Sequence, residues 1–252
     1  MTTTTDDRRI RVERSGKRVR VLFGGTYVAD TTRPLLVWEQ PYYPTYYLPL
    51  DDVRADVLVD AGETRVAVND VLAEVHDVTV GDHRAPAAAL VLREAPEAAL
   101  SGTVRLDWKA MDAWFEEDEQ VYVHPRDPYK RIDILPSSRH VEVQVDGVTV
   151  ADSTHALLLF ETSLPTRYYL PKTDVRMDLL TGTDLETKCP YKGTAEYYTV
   201  TVDGRPHENL AWWYRHPTRE SAPIAGYVCF YNERVDTIVD GVPQGRPSTP
   251  FS

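Results

Sequence analysis

VEVQVDGVTVADSTHALLLFETSLPTRYYLPKTDVR, residues 141–176, repeats a pattern that the chain has already used once. Residues 19–54 read VRVLFGGTYVADTTRPLLVWEQPYYPTYYLPLDDVR, and the two align without a gap at a constant offset of 122 positions. Glu39 falls on Glu161, Tyr46-Tyr47 on Tyr168-Tyr169, Pro49 on Pro171 and Asp52-Val53-Arg54 on Asp174-Val175-Arg176. About half of the aligned positions are identical, and such self-similarity marks an internal duplication. The offset persists where Ala73-Glu74 meets Ala195-Glu196 and Val78-Thr79-Val80 meets Val200-Thr201-Val202.

The duplication divides the 252 residues into two repeats, each long enough for its own core. Four segments are expected: a disordered 1–17, a first repeat 18–136, a second repeat 137–241 and a loose tail 242–252. Within the repeats, Val19, Val21 and Phe23 face one way and Arg18, Arg20 and Leu22 the other, Gly24-Gly25 and Asp146-Gly147 are hairpin turns, and short apolar strands end on Glu39 and Glu161. The residues after Pro171 suggest a short helical turn, and 108–117 carries the one hint of a longer helical period. Regular short strands between turn signals predict an all-β fold, two tandem small barrels or sandwiches. With no flexible linker at 135–139, the repeats are expected to pack together as one rigid body.

Two stretches realign only loosely. Residues 85–102 have no evident counterpart in the second repeat and read as a loop or short helix. Beyond them, Trp108 is set against Trp212, 123–129 against 227–231, and Arg131-Ile132-Asp133 against Arg234-Val235-Asp236.

Bulk properties exclude several classes. A net charge of −11 argues against nucleic acid and against an anionic membrane surface, both of which need a basic face. Two cysteines cannot build a disulfide framework or a four-cysteine zinc site. No apolar run is long enough to span a bilayer and the start lacks a signal-peptide core, so a cytoplasmic protein is expected, a monomer or homodimer.

The repeats differ most where chemistry could sit. The second carries Lys188-Cys189-Pro190-Tyr191-Lys192-Gly193, where the first has Val66-Ala67-Val68-Asn69-Asp70-Val71. Cys189 is either a thiolate nucleophile favoured by Lys188 and Lys192, or a small residue at a strand-to-turn corner. Lys192 is a candidate anion anchor, with Gly193 letting a backbone approach closely. The first repeat carries His124, Arg126 and Asp127 between prolines. These are either an acid–base histidine beside an anion-binding guanidinium, or a structural Arg126–Asp127 pair joined by Arg131 and Asp133.

Glu161 needs a partner if it is buried, and one tyrosine of each Tyr-Tyr pair is expected to face a pocket. The candidate wall is Glu161, Tyr168, Tyr169, Cys189, Tyr191, Lys192, Trp212 and Tyr227. Catalytic roles fall to Cys189, Lys192, Glu161 and His124, and substrate contacts to the aromatic residues with Arg126 and Asp127. The expected ligand is a small anionic metabolite. A non-catalytic binding or scaffold protein is the alternative. No cofactor and no metal is expected.

The blocks DSTHALLLFETSLPTRYYLPKTDV, CPYKGTAEYY, AWWY and IAGYVCFY resemble the domain-of-unknown-function 427 family, over about 141–241. The first repeat resembles it over 19–80 without the CPYKG block, and HPRDPYKRIDILPSSR is similar to tandem members from actinobacteria. The resemblance implies a β-tent-like fold akin to zinc-dependent relatives such as methionine sulfoxide reductase B. Their paired CxxC motifs are absent here, so no metal carries over. A nucleotidyltransferase label also attaches to the family, but the Gly-Ser loop and paired aspartates of that chemistry are missing.

Overall fold

Alternation decides the opening hairpin of each repeat. Every second residue is apolar and buried: Val19, Val21 and Phe23 in one, Val141, Val143 and Val145 in the other. The connecting pairs Gly24-Gly25 and Asp146-Gly147 all take positive φ, as a type I′ turn requires.

The computed structural model describes residues 10–249. Its first unit holds β1 (Arg11–Arg14), β2 (Val19–Phe23), β3 (Thr26–Thr31), β4 (Leu35–Trp38), β5 (Thr45–Pro49) and β6 (Leu58–Val66). Then come β7 (Leu72–Val80), β8 (His83–Leu92), β9 (Thr103–Leu106), β10 (Ala113–Glu116) and β11 (Glu119–Val121). The second unit repeats the set as β12 (Ile132–Pro136), β13 (Val141–Val145), β14 (Val148–Ser153), β15 (Leu157–Glu161), β16 (Arg167–Leu170) and β17 (Leu180–Cys189). It ends with β18 (Gly193–Val202), β19 (Arg205–Pro217), β20 (Val228–Phe230), β21 (Asp236–Val239) and β22 (Val242–Pro243). Only short 3-10 turns fill the connections, the longest Arg219–Ile224, and among the described residues no helix is long and apolar enough to cross a membrane.

Both units are antiparallel and pair in one order. The seven-stranded sheets run β1-β4-β5-β9-β8-β7-β6 and β12-β15-β16-β20-β19-β18-β17. The four-stranded sheets run β11-β10-β2-β3 and β14-β13-β21-β22, the same order from opposite edges. Even the irregularities recur. The β2–β3 register shifts between Val21 and Leu22, and β13–β14 between Val143 and Gln144. The β7–β8 ladder shifts between His76 and Val78, and β18–β19 between Tyr198 and Val200. The chain is therefore all-β and duplicated, as its sequence predicts.

Each seven-stranded sheet buries both faces. One face closes on the small sheet, through Val21, Leu48, Val78 and Val104 in the first unit and Val143, Leu170, Val200 and Val228 in the second. The other face carries a separate cluster under loops, with Val37, Tyr47, Ala73 and Leu92 in the first unit and Leu159, Tyr169, Ala195 and Trp212 in the second. Each fully buried side chain of this size contributes about 1.5–3 kcal/mol by leaving water.

Several expectations change. The units divide between Asp127 and Pro128, not at 136/137, because β12 pairs with β15 and belongs to the second sheet. Arg11–Arg14, assigned to a disordered start, is the matching strand β1 and pairs with β4. Val242–Pro243, assigned to a loose tail, adds β22 to β21. Residues 1–9 and 250–252 lie outside the described residues. Residues 85–102 are no insertion: they contain most of β8, whose partner is β19, so Leu90 and not Trp108 occupies the place of Trp212. Residues 108–117 form the 3-10 turn Trp108–Ala110 and then β10, not a helix. Arg131 to Asp133 run into β12 instead of matching 234–236, and 123–129 follow β11 instead of matching β20.

The shared bulge yields a test. Ala87 and Asn209 hold the same left-handed position, with φ of 51° and 50°. An alanine costs roughly 1–2 kcal/mol there, whereas glycine adopts it freely. Ala87→Gly is expected to raise stability by about 1 kcal/mol. Asn209→Ala is expected to lower it, with loss of the 2.8 Å hydrogen bond that Thr183 Oγ1 donates to Asn209 Oδ1. Denaturant midpoints of the two variants check this.

Candidate functional site

In the second unit the hairpin joining β17 to β18 carries the distinctive motif at its tip. Cys189 ends β17 opposite Gly193, and Pro190, Tyr191 and Lys192 make the turn. Gly193 has φ +99°, and a Cβ there would lie 3.3 Å from the His216 carbonyl oxygen. Its freedom therefore serves close approach of the chain's own backbone. Thr218 N–H reaches the Lys192 carbonyl at 3.1 Å, and the hydroxyls of Thr218 and Ser221 both donate to the Tyr191 carbonyl. These bonds fix the turn over the outer face of the seven-stranded sheet.

The fixed turn drives Lys192 inward. Its ammonium forms a buried ion pair with Glu161, the last residue of β15, and lies near enough to the Cys189 sulfur to interact with it electrostatically. Burial works against the charged amine, yet Cys189 and Glu161 together hold Lys192 above its ordinary value. Cys189 is half-buried, while Cys229 on β20 is fully buried, which pushes its thiol up to about 12.

Strand alternation sorts the aromatic candidates. Tyr169 faces this cluster, where Trp212 Nε1 donates to its hydroxyl at 3.2 Å, the rings edge-on at 89°. Burial holds the Tyr169 phenol neutral, well above its usual range. Tyr191 is buried, and Tyr227 packs against the same cluster. Tyr168, one residue along, points to the opposite face and packs against the core between the sheets, so it leaves the candidate wall. The first unit repeats this division, with Tyr46 between the sheets and Tyr47 outside.

Residues that the sequence reading missed complete the cluster. Arg167 on β16 forms a double hydrogen bond with Glu233, both contacts 2.7 Å, and its guanidinium lies 5.5 Å from the Trp212 ring centroid. The guanidinium also lies 6.0 Å from the Tyr231 ring centroid, and Tyr197 and Tyr214 belong to the same buried cluster. The signal was available, since Arg167 is two residues from Tyr169 on one strand and must share its face.

The first unit lacks the thiol and the lysine, having Ala67 and Asp70 at those places, yet it keeps the carboxylate. Glu39 pairs with Arg105 at 3.1 Å. Because β9 and β20 are equivalent, Arg105 stands where the second unit has Cys229. His124, Arg126 and Asp127 belong to this first unit. His124 stacks on Tyr43 at 4.0 Å, Arg126 pairs with Glu119, and Trp38 Nε1 donates to Asp127 at 3.0 Å. Arg126 also donates its N–H to Glu116, at 3.2 Å. Arg131 pairs with Asp133 at 3.0 Å within the second unit.

Two copies of one two-sheet unit, each with a carboxylate–cation pair at the end of its fourth strand and the second of these buried, define a tandem-repeat all-β protein. The family model described as Domain of unknown function (DUF427) matches residues 11–117 and again 133–241, so the chain belongs to that family. No curated protein matches it.

Two measurements test the electrostatics. Glu161→Gln strands the buried Lys192 ammonium and is expected to cost about 3–5 kcal/mol, while Glu161→Leu with Lys192→Met recovers most of it, as apolar replacement of both partners generally does. Arg167 and Thr249 hold the Glu233 carboxyl near about 2 against burial, from an ordinary 4.5. A depressed acid stabilises the fold above its unfolded value. This contribution is therefore full above pH 4.5 and lost as pH falls toward about 2, and Glu233→Gln removes that acid limb from chemical-denaturation curves.

Proposed function

We propose that the second unit is an enzyme site centred on the Cys189 thiol, acting on a small metabolite. Cys189 is the reacting nucleophile, Lys192 favours its anionic sulfur, and Glu161 fixes the lysine. The observation that carries this reading is the buried Lys192 ammonium, paired with the Glu161 carboxylate and held at the same hairpin tip as the Cys189 sulfur. A cation held against sulfur favours the thiolate, which is the nucleophilic form.

The pairing also narrows the substrate. Glu161 already answers the charge on Lys192, so the anion-anchoring role passes out of the proposal, and the small anionic metabolite becomes a small electrophilic one. Tyr169, Trp212 and Tyr227 form the aromatic surroundings of the reacting group. The comparison between units supports a role beyond folding. The first unit builds the same sheet and neutralises Glu39 from β9, without a thiol or a lysine in its hairpin.

Alkylation by iodoacetamide at neutral pH, read residue by residue by mass spectrometry, tests the proposal. Cys189 is expected to react faster than an unfolded-peptide thiol, while Cys229 stays unlabelled in the folded protein. Lys192→Met combined with Glu161→Leu, which avoids a stranded charge, is expected to slow Cys189 by about tenfold. A peptide-like rate that the double variant leaves unchanged would make the cluster a structural ion pair in a non-catalytic binding or scaffold protein.

A further inference from the structure

The first unit contains a cleft of about 470 Å³, lined by residues between Glu39 and Pro125. Two stacked sets of rings meet it. Trp108 lies parallel to Trp114 at 4.5 Å and 4°, and Trp114 lies over Tyr46 at 6.2 Å and 18°. Tyr46 and Trp114 are buried whereas Trp108 is only half-buried, so the column runs outward from the core and ends at the cleft. His124 and Tyr43, stacked at 4.0 Å and 7°, also line it.

The second unit acts as an internal control. Thr237 holds the place of Trp114, since each pairs with an equivalent residue of the opening strand, Val21 or Val143. Counting two residues on from the equivalent Leu106 and Phe230 sets Trp108 against Asn232. The same fold thus closes without either tryptophan, and the column is not something the architecture demands.

The charges of the cleft are unequally occupied. Glu39 is answered by Arg105, and the Asp107 carboxylate accepts the Lys109 backbone N–H at 3.0 Å. Among the described residues, the exposed Lys109 ammonium has no carboxylate within ion-pair distance. The aromatic column thus ends between one carboxylate that no described cation answers, Asp107, and one ammonium that no described carboxylate answers, Lys109.

We propose that this cleft binds a planar aromatic ring bearing an anionic group, with the ring continuing the Tyr46–Trp114–Trp108 stack and Lys109 meeting the anion. The volume suits a fused two- or three-ring molecule, within the usual range of roughly 300–1,000 Å³ for small-ligand sites. Ring-on-ring contact adds about 0.5–1.5 kcal/mol beyond burial and rewards planarity over mere apolar bulk.

Calorimetric titration of the full chain with matched probes tests this. The probes are 2-naphthoate, 2-naphthyl phosphate, 2-naphthylmethylamine and the saturated decahydro-2-naphthoate. One or both aromatic anions are expected to bind saturably at least tenfold tighter than the amine and the saturated acid, and their ranking separates carboxylate from phosphate ligands. Trp108→Asn, which installs the residue of the second unit, is expected to weaken binding at least tenfold, with Trp108→Phe recovering part. Lys109→Met is expected to weaken the anions and leave the amine unchanged. The proposal fails if no aromatic anion binds at millimolar concentration, if the amine or the saturated acid binds as well, or if Trp108→Asn folds and binds normally.

Discussion

The carboxylate that ends the fourth strand of the second unit is buried and has to be neutralised, and much of the local chemistry follows from how that is done. Glu161 has almost no exposed side chain, and burying such a charge alone is prohibitive. The second unit brings the counter-ion from a hairpin tip, which demands a turn tight enough to point Lys192 back under itself. Gly193 and the hydroxyls of Thr218 and Ser221 serve that geometry, and the thiol of Cys189 is carried into the cation's reach with it. In the first unit the equivalent Glu39 is more exposed and pairs with Arg105 from β9, and the hairpin carries neither thiol nor amine.

The duplication lets the molecule serve as its own reference. Eleven strands, their pairing order and three register shifts are common to both units, so these belong to the fold. What one unit has and the other lacks is surplus to it. Cys189 with Lys192 is such a surplus on one side, and the Trp108–Trp114 column on the other. They also occupy different places, one beneath a hairpin on the outer sheet face and one opening from the core between the sheets. The two units have diverged at separate sites within one architecture.

The quoted repeat was enough to determine that the chain is a duplicated all-β protein, because hydrophobic alternation and hairpin turns are local properties written residue by residue. The same alignment made Glu161 and Tyr169 legible as candidates that both copies keep, and, in the hairpin beyond it, Cys189 and Lys192 as residues that one copy lacks. Tertiary structure alone decided which of them meet. Lys192 points at Glu161 because the hairpin folds over the sheet, a contact between residues 31 positions apart. Tyr168 and Tyr169 parted company because adjacent strand residues must face opposite ways, and only packing says which face is which. The equivalence of β8 with β19 was hidden because their side chains differ at nearly every position, as Leu90 against Trp212 shows, while backbone pairing preserves the register. The ring column was hidden for a similar reason, since Tyr46, Trp108 and Trp114 come from separate segments that only sheet closure stacks.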